Sequence, residues 1–321
     1  MVRGSPNKTV LTTKTMGPKK TIPFVLLLIT TILFTDHSST ENINTFPPKK
    51  VEKKIYEMTI DEIDALIRQV DKSKMTNAEK IAFYSELFLG CPYSLKESLG
   101  DGPYAKYDTA PLVNFKKVNC MTFCEEVLAL SLSATYEEMF NVLQHIRYRN
   151  GIISMSTRNH YTMADWLPEN KWCLRDVTYN IGRRKYCRRM TKIISHKKFF
   201  TEKGYTDIEP IKPDRKLSIW YIPKEYLLSV SSKLKSGDIA ALIQDKEGIF
   251  AAHMGIIIKK DQEMYFRHST ISEGTTLDEK FGDYVNKLLL REHIVGMSFM
   301  RVREKPSFFG PERIHRGKIK F

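Results

Sequence analysis

The cysteine at position 120 is the residue best placed for covalent chemistry. It stands where a polar connector meets a strongly helical run, in NFKKVNCMTFCEEVLALSLS, and Asn119, a good helix-capping residue, precedes it. A thiol at a helix start lies beside unpaired N–H groups and the positive end of the helix dipole, and both favour the thiolate. We therefore expect Cys120 to have a lowered pKa and to act as a nucleophile.

Two histidines in the second half of the chain could activate this thiol. The segment AAHMGIIIKKDQEMYFRHST predicts two strands around a tight turn at Lys260 and Asp261. In that register His253 lies directly opposite His268, with Cβ atoms about 5 Å apart, whereas a loop of odd length would change the pairing. One histidine could then accept the thiol proton while the other orients its ring. Because a lone cysteine or histidine is more often a packing or surface residue, the prediction depends on all three residues meeting.

The N-terminal residues 1–40 are predicted to be a signal peptide or an N-terminal anchor. Lys19 and Lys20 precede an apolar run from Thr21 to Thr35, which is short for a membrane-spanning helix and suits a signal-peptide core. The polar residues 41–54 indicate a linker, and residues 55–321 a single catalytic domain. We therefore expect an exported protein of the periplasm or cell envelope, membrane-anchored if the segment stays uncleaved and otherwise free to be secreted.

Helical patterns dominate the first half of that domain, and strand patterns the second. Capping residues at Thr59, Thr76 and Thr135 predict helices around the Cys120 helix, which a long aperiodic loop from residue 94 to residue 117 precedes. Strands are predicted at 238–242, 249–259, 263–269 and 294–302. Helices followed by an antiparallel sheet indicate an α+β fold with the nucleophile-bearing helix packed on the sheet.

The composition indicates a globular protein with a strong positive charge. Of its 321 residues, 42% are hydrophobic, and the formal net charge of +14 predicts attraction to anionic surfaces or polymers. The basic cluster RRKYCRR at 183–189, with His196, Lys197 and Lys198 close behind, could bind anionic envelope polymers or form an ordinary solvated face. It is not accompanied by a nucleic-acid-binding motif, so no nucleic-acid partner is expected.

The five cysteines are an odd number for an exported chain, so at least one free thiol is expected. If Cys120 is the free one, the other four could form two disulfides or remain buried thiols. They are Cys91, Cys124, Cys173 and Cys187.

Several short motifs resemble those of NlpC-type cell-wall cysteine hydrolases, namely GCPY, NCMTFCEE, AAHMGIII and FRHS. The papain-like core of that superfamily sets a cysteine at a helix start against histidines on a sheet. The order YDTAPLVNFKKVNCMTF, IRYRNG, RNHYTMADW, RDVT, SGDI and AHMGI is similar to the subfamily of N-acetylmuramoyl-L-alanine amidase-like proteins over residues 76–301. The resemblance implies Cys120 as nucleophile, His253 as general base, His268 as the residue that fixes the base, and Tyr93 beside the oxyanion site.

The motif RNHYTMADW could bind the substrate. Its candidates for contacts with a sugar and with stem-peptide carboxylates are Arg158, Asn159, His160, Tyr161 and Asp165. The alternative is a structural turn around a buried Trp166. His160 is also the rival of His253 as general base.

The sequence thus predicts an exported cysteine hydrolase that cleaves an amide bond of peptidoglycan or a muropeptide, with no metal and no cofactor. The subfamily favours the bond between N-acetylmuramic acid and L-alanine, and the bond between γ-D-glutamate and the diamino acid is the alternative. Two further classes stay open. One is a zinc protein with Cys120, Cys124, His253 and His268 as ligands, and the other is a catalytically inactive envelope-binding domain.

Overall fold

The computed structural model describes residues 51–307. The predicted signal segment, most of the linker and the last residues of the predicted domain lie outside this range. Residues 51–54 have no regular secondary structure, and a short 3-10 turn at Ile55–Glu57 follows them. Within the described range, we find no helix that combines the length and the apolar character needed to cross a membrane.

Nine α-helices and eight β-strands occur between residues 51 and 307. The helices are α1 (Ile60–Asp71), α2 (Asn77–Leu87), α3 (Cys120–Ser131), α4 (Tyr136–Arg147), α5 (Leu167–Glu169), α6 (Thr178–Tyr186), α7 (His196–Glu202), α8 (Leu227–Val230) and α9 (Phe281–Leu289). The strands are β1 (Leu174–Asp176), β2 (Arg188–Ile194), β3 (Arg215–Pro223), β4 (Ile239–Gln244), β5 (Ala251–Lys260), β6 (Glu263–Thr270), β7 (Thr275–Lys280) and β8 (Ile294–Val302).

The first helices begin where their capping residues predict. The side chains of Thr59 and Thr76 each accept a hydrogen bond from the backbone N–H of the glutamate three residues on. The carboxylates of Glu62 and Glu79 in turn accept the backbone N–H of these threonines. Thr135 caps α4 in the same position. Because each cap satisfies N–H groups that the helix itself leaves unpaired, these helix starts follow from local sequence.

All pairs in the sheet are antiparallel, in the order β2-β3-β8-β4-β5-β6-β7, with β1 also on β8. One face packs on a core shared with α1 to α4, and the other on a core shared with α6, α8 and α9. Strand β4 shows the division, since Ala241 and Ile243 belong to the first core and Ala240 and Leu242 to the second. The predicted α+β class is confirmed, and the papain-like NlpC-type relation stays a prediction.

Helix α3 lies at the centre of the first core. Every side chain from Thr122 to Ser131 is buried, and the helix contacts α2, α4, β5 and β6. Even the carboxylate of Glu125 is enclosed, where it pairs with Arg147 at 2.6 Å. Because α3 is surrounded by packed elements, its first residue has a fixed position relative to the histidine hairpin.

The histidine hairpin turns at different residues from those predicted. Lys259 pairs with Met264 rather than Gln262, and the turn residues are Asp261 and Gln262, with φ of 50° and 67°. Two successive positive φ values are typical of a type I′ turn, whose twist suits a two-residue hairpin. The register therefore differs from the prediction by two residues. Since side chains alternate with a period of two, the shift leaves both histidines on one face.

Candidate active site

The β5–β6 ladder ends short of the two histidines. Its last pair joins Ile256 to Arg267, and the next three residues of β5 form no ladder pair with β6. The start of α3 lies at this opening, where the backbone N–H of Met254 hydrogen-bonds to the sulfur of Cys120. The thiol therefore lies at the opening of the hairpin, beside Met254, the residue that follows His253.

Asn119 fixes the start of α3. Its side-chain oxygen accepts the N–H groups of Met121 and Thr122 at 2.9 and 3.0 Å, and its amide nitrogen donates to the Ser98 hydroxyl at 2.9 Å. An amide bound at both ends has one orientation, so the cap and the following residue are held in place. All five cysteines are free thiols, and only Cys120 is partly exposed. Of the two predicted alternatives, the structure therefore has buried thiols rather than disulfides.

The prediction that the Cys120 thiol has a lowered pKa is wrong, because its pKa is raised. Burial raises the pKa and outweighs the backbone N–H groups of Met254, Met121 and Cys120, which act to lower it. The helix start alone does not create a resting thiolate, because the sulfur is also withdrawn from water. A neighbouring base has to take the proton.

His253, His268 and Glu279 form a continuous chain of hydrogen bonds. Nε2 of His253 lies 2.8 Å from Nδ1 of His268, and Nε2 of His268 lies 3.0 Å from Oε1 of Glu279. A carboxylate only accepts, so Nε2 of His268 carries a hydrogen and its Nδ1 accepts from His253. His253 then donates through Nε2 and keeps a lone pair on Nδ1. That nitrogen is the one free to take a proton from the thiol.

Aromatic packing holds the two imidazoles. Phe266 stacks on His268 with ring centroids 4.8 Å apart, and Tyr284 of α9 lies 5.2 Å from the same ring. Gly255 permits this packing, since a Cβ there would lie 2.7 Å from the Phe266 ring. His268 is buried and His253 is partly exposed, which suits an orienting residue and a base that meets the substrate.

Both histidines are neutral at neutral pH. Burial, followed by the electrostatic effects of His268 and Arg291 on the protonated ring, lowers the pKa of His253 to about 3. Burial also lowers the pKa of His268, in spite of the opposing effect of Glu279. Burial acts to raise the pKa of Glu279, but Lys287 and His268 outweigh it and keep the carboxylate ionised. In the resting hydrogen-bonded chain, His253 is therefore uncharged and Glu279 carries a negative charge.

We expect the acid limb of the kcat/KM profile to lie well below pH 6.5. As a general base, His253 would react in its neutral form, and a pKa lowered to about 3 keeps it neutral as the pH falls past the ~6.5 of an ordinary histidine. Activity is lost only as the pH approaches the folded-state value. The measurement is kcat/KM against pH on a soluble muropeptide, and an acid limb centred near pH ~6.5 contradicts the prediction.

Tyr93 lies at the base of the long loop 94–117, where it bridges to the segment that leads into α3. Tyr93 and Val118 form a parallel bridge, with the N–H of Ser94 donating to the Val118 carbonyl at 2.9 Å. Burial and then the charge of Cys120 raise the pKa of Tyr93, which puts the phenol within electrostatic reach of the sulfur. The structure brings Tyr93 to the site, and its oxyanion role stays a prediction.

Three of the five substrate-binding candidates are buried, and Asp165 and Asn159 are the most enclosed of them. Asp165 is fully buried, and its carboxylate binds His196 at 2.8 Å, Lys212 at 3.0 Å and Arg215 at 2.8 Å. Asn159 is also buried and donates to a backbone carbonyl of α4. Trp166 is completely enclosed, so this segment has the structural turn considered as the alternative, and Asp165 holds the fold rather than a ligand.

The other three candidates also have internal partners. Arg158 binds Asp101 and lies 2.7 Å from Asp108, and both carboxylates belong to the long loop. His160 donates through Nε2 to a backbone carbonyl at 2.8 Å and packs on the phenylalanines of α7, apart from the relay. Tyr161 is also buried, and its hydroxyl donates to a carbonyl at 3.3 Å. Substrate binding by these three residues stays a prediction.

The zinc alternative is not supported by the geometry. Between residues 51 and 307, no three His, Cys, Asp or Glu side chains form a group that could hold a metal ion. Of the proposed quartet, Cys124 is buried, and both ring nitrogens of His268 are occupied by His253 and Glu279.

Glu279 is the candidate that the sequence did not reveal. It pairs directly with Phe266 across β6 and β7, and so shares the face of His268. The sequence signal that could have found it is the short run ISEG between the strand segments FRHST and TTLDEK. The glycine of this run has a positive φ, and the run closes a second hairpin in which Thr270 pairs with Thr275.

Comparison with known proteins assigns this arrangement to a family. The family model of the N-acetylmuramoyl-L-alanine amidase-like (AmiA-like) proteins matches residues 83–289, and the chain belongs to this family. The matched region contains Cys120, both histidines and Glu279.

Two solved structures have similar folds. A protein from Legionella pneumophila is 24% identical with a TM-score of 0.68, and the match covers 76% of this chain and 94% of that one. An N-acetylmuramoyl-L-alanine amidase from Bacteroides uniformis is 23% identical with a TM-score of 0.58, covering 71% of this chain and 99% of that one. Identities this low show the shared fold alone. A search of curated protein sequences found no match.

Proposed function

We propose that this protein is a cysteine-dependent peptidoglycan amidase that cleaves the bond between N-acetylmuramic acid and L-alanine. The observation that carries the proposal is the relay of His253, His268 and Glu279 beside the start of the Cys120 helix. The family supports the substrate class, and the relay supports the catalytic chemistry, because it supplies a neutral base and fixes its orientation.

In the proposed reaction, Nδ1 of His253 takes the thiol proton as the Cys120 sulfur attacks the amide carbonyl. The oxyanion receives hydrogen bonds from the backbone N–H of Cys120 and the hydroxyl of Tyr93. The imidazolium then protonates the amine of L-alanine, the C–N bond breaks, and the lactyl group of the muramic acid remains as a thioester. Water deprotonated by His253 hydrolyses the thioester and restores the thiol.

The relay opposes the burial that keeps His253 neutral. When His253 takes a proton, His268 accepts a hydrogen bond from the imidazolium, and the Glu279 carboxylate balances the new charge through His268. The proton affinity of the base is therefore greatest in the charged transition state, where it is needed.

The test is mass spectrometry of muropeptides digested by the purified domain. A product with a free lactyl carboxylate, together with a peptide that begins at L-alanine, supports the proposal. Cleavage between γ-D-glutamate and the diamino acid would instead identify the endopeptidase alternative. If the wild type gives no product from any sacculus or muropeptide, while the Cys120→Ala variant behaves identically, the amidase proposal fails and the inactive binding domain is favoured.

We also propose that residues 1–40 export the domain, which then meets peptidoglycan outside the cytoplasmic membrane. A basic face on α6 and β2 supports adhesion to the anionic envelope, because its arginines and lysine are exposed; they are Arg183, Arg184, Lys185, Arg188 and Arg189. His196, expected beside this cluster, is buried against Asp165 and does not belong to the face.

Replacing the four arginines of the basic face with glutamine is expected to weaken sacculus binding without changing turnover of a soluble muropeptide. Exposed charges act over a Debye length of about 8 Å at physiological ionic strength, so wild-type binding should also weaken as salt is added. Co-sedimentation with sacculi measures binding. The matched control replaces four exposed lysines elsewhere, Lys72, Lys74, Lys259 and Lys260. Equal losses in both variants would contradict a specific basic face.

A further inference from the structure

We propose that a cationic cavity at the start of β4, separate from the active site, binds the phosphate group of a saccharide or polyol. The cavity has a volume of about 600 Å³, and Asp238, directly before β4, contributes to its lining. His253 pairs with Leu242, four residues further along, which is about 13 Å at the rise of a strand. The cavity shares no residue with the histidine relay, so the proposal does not depend on amidase activity.

Four segments form the walls of the cavity, namely the start of α2, strand β1, the turn before β4 and the end of β8. Two short motifs of the sequence meet here, since Arg175 belongs to RDVT, and Ser236 and Asp238 belong to SGDI. Gly237 of the second motif has a φ of 85°, and a Cβ there would lie 2.8 Å from the carbonyl oxygen of Ala78. Glycine therefore permits the close approach of this turn to α2.

Cationic side chains outnumber carboxylates in the lining by five to two. The cations are Arg175, Lys235, Arg301, Arg303 and Lys305. Both carboxylates are already engaged, because Asp238 binds Arg301 through its two oxygens at 2.6 and 2.7 Å, and Glu304 accepts the backbone N–H of Asn77 at 3.2 Å. Within residues 51–307, the other four cations have no carboxylate to neutralise them.

Two of the arginines lie in an unfavourable arrangement for an empty cavity. Arg175 and Arg301 are directly opposite each other across β1 and β8, and like charges at such positions destabilise a sheet. Asp238 neutralises only Arg301. Arg303 adds a third guanidinium, which donates through Nε to two backbone carbonyls at 2.9 and 3.2 Å and so is held in place while its charge remains. A bound anion would relieve this repulsion.

The lining indicates the class of ligand. Guanidinium groups bind phosphate oxygens in pairs, and a phosphate monoester supplies three oxygens and up to two negative charges. The volume lies in the range of small-molecule sites, so it admits more than a phosphate group alone. Among the described residues, no aromatic side chain lines the cavity to stack on a nucleobase. The Ser236 hydroxyl accepts the N–H of Lys259 at 3.2 Å and keeps its own hydrogen for a sugar or polyol oxygen.

The first test is calorimetry of the full chain with glucose 6-phosphate, beside glucuronate as the carboxylate and glucose as the uncharged counterpart. We expect the phosphate to bind most tightly, and Arg175→Gln/Lys235→Gln to weaken its binding by at least about 10-fold. The matched control, Arg184→Gln/Lys260→Gln, removes the same charges at exposed positions elsewhere and should keep the wild-type affinity. Equal binding of the three compounds, no binding of the phosphate, or equal losses in both double variants overturns the proposal.

Vesicles distinguish two sources of the phosphate group. Phosphatidylglycerol, a polyol phosphate, is presented in phosphatidylcholine vesicles, and co-sedimentation measures binding. If the vesicles bind glucose-6-phosphate-competent wild type but not Arg175→Gln/Lys235→Gln, the ligand is a lipid headgroup. If the wild type binds glucose 6-phosphate but not the vesicles, the ligand is a phosphorylated saccharide.

Thermal melting gives a second readout that needs no enzymatic activity. Because Arg175 and Arg301 repel each other in the empty cavity, Arg175→Gln should keep or raise the melting temperature without ligand. Saturating glucose 6-phosphate should raise the melting temperature of the wild type by about 3 °C or more, and that of the variant much less. A lower melting temperature of the ligand-free variant, or an equal rise with phosphate in both proteins, overturns the proposal.

Discussion

Replacing Cys120 with alanine is expected to reduce kcat/KM on muropeptides by a factor on the order of 10⁴ or more, with little change in thermal stability. In the proposed mechanism, the sulfur forms the bond to the substrate carbonyl, and neither the N–H groups around it nor His253 can replace that step. Stability should be maintained because Cys120 is partly exposed at a helix end. Turnover and the melting temperature of the same preparation are the measurements.

The matched control is Cys173→Ala, which removes a buried thiol outside the site and should keep its turnover. Brief iodoacetamide treatment followed by peptide mass spectrometry should label Cys120 before the other four cysteines. Label on another cysteine with loss of activity, or turnover by Cys120→Ala near that of the wild type, would show that the nucleophile lies elsewhere.

The second large effect is expected from the histidine relay, in graded order. His253→Ala removes the base and should lower kcat by about 10²- to 10⁴-fold. His268→Ala should be less damaging, and His268→Asn less still, because an amide oxygen can accept the N–H of His253 in place of the imidazole. Glu279→Gln should have the smallest effect, since it removes only the charge at the end of the chain. Single-turnover rates of the four variants give this order directly.

His293→Ala, a substitution of an exposed histidine, is the matched control and should retain the wild-type rate. Equal activity of His268→Asn and His268→Ala would indicate that the interaction with the ring of His253 is unimportant. An inactive His160→Ala variant beside an active His253→Ala variant would assign the base to the RNHY segment instead.

The sequence correctly predicts that His253 and His268 lie on the same face of the sheet, although it predicts the wrong turn residues. The sequence predicts the turn at Lys260 and Asp261, whereas the chain places Asp261 and Gln262 in the left-handed region. Glutamine is not a residue type that signals such a turn. The predicted pairing register differs from the observed one by two residues, an even number, so both histidines remain on the same face of the sheet. They lie diagonally across the two strands, with Nε2 of His253 2.8 Å from Nδ1 of His268.

Properties that depend on tertiary environment could not be predicted in this way. The helix start at Cys120 was readable from Asn119, but the pKa of the thiol depends on how deeply the rest of the protein encloses it. Asp165 resembles a binding residue in sequence, and only the fold brings a lysine, an arginine and a histidine around it. Glu279 reaches the site through the pairing of β6 with β7, which the sequence analysis did not predict.

The parallel bridge between Tyr93 and Val118 joins the two ends of the loop 94–117 at the mouth of the site. A loop closed at its base can grow or shrink at little entropic cost, since doubling its length costs only about 0.6 kcal/mol of closure entropy. Asp101 and Asp108 of this loop bind Arg158, so such changes are tolerated best in the segment between them. The outer part of this loop is therefore a natural point for grafting. Exchange of its residues between relatives, or by protein engineering, should redirect the enzyme to differently decorated cell walls while the nucleophile and its base remain in place.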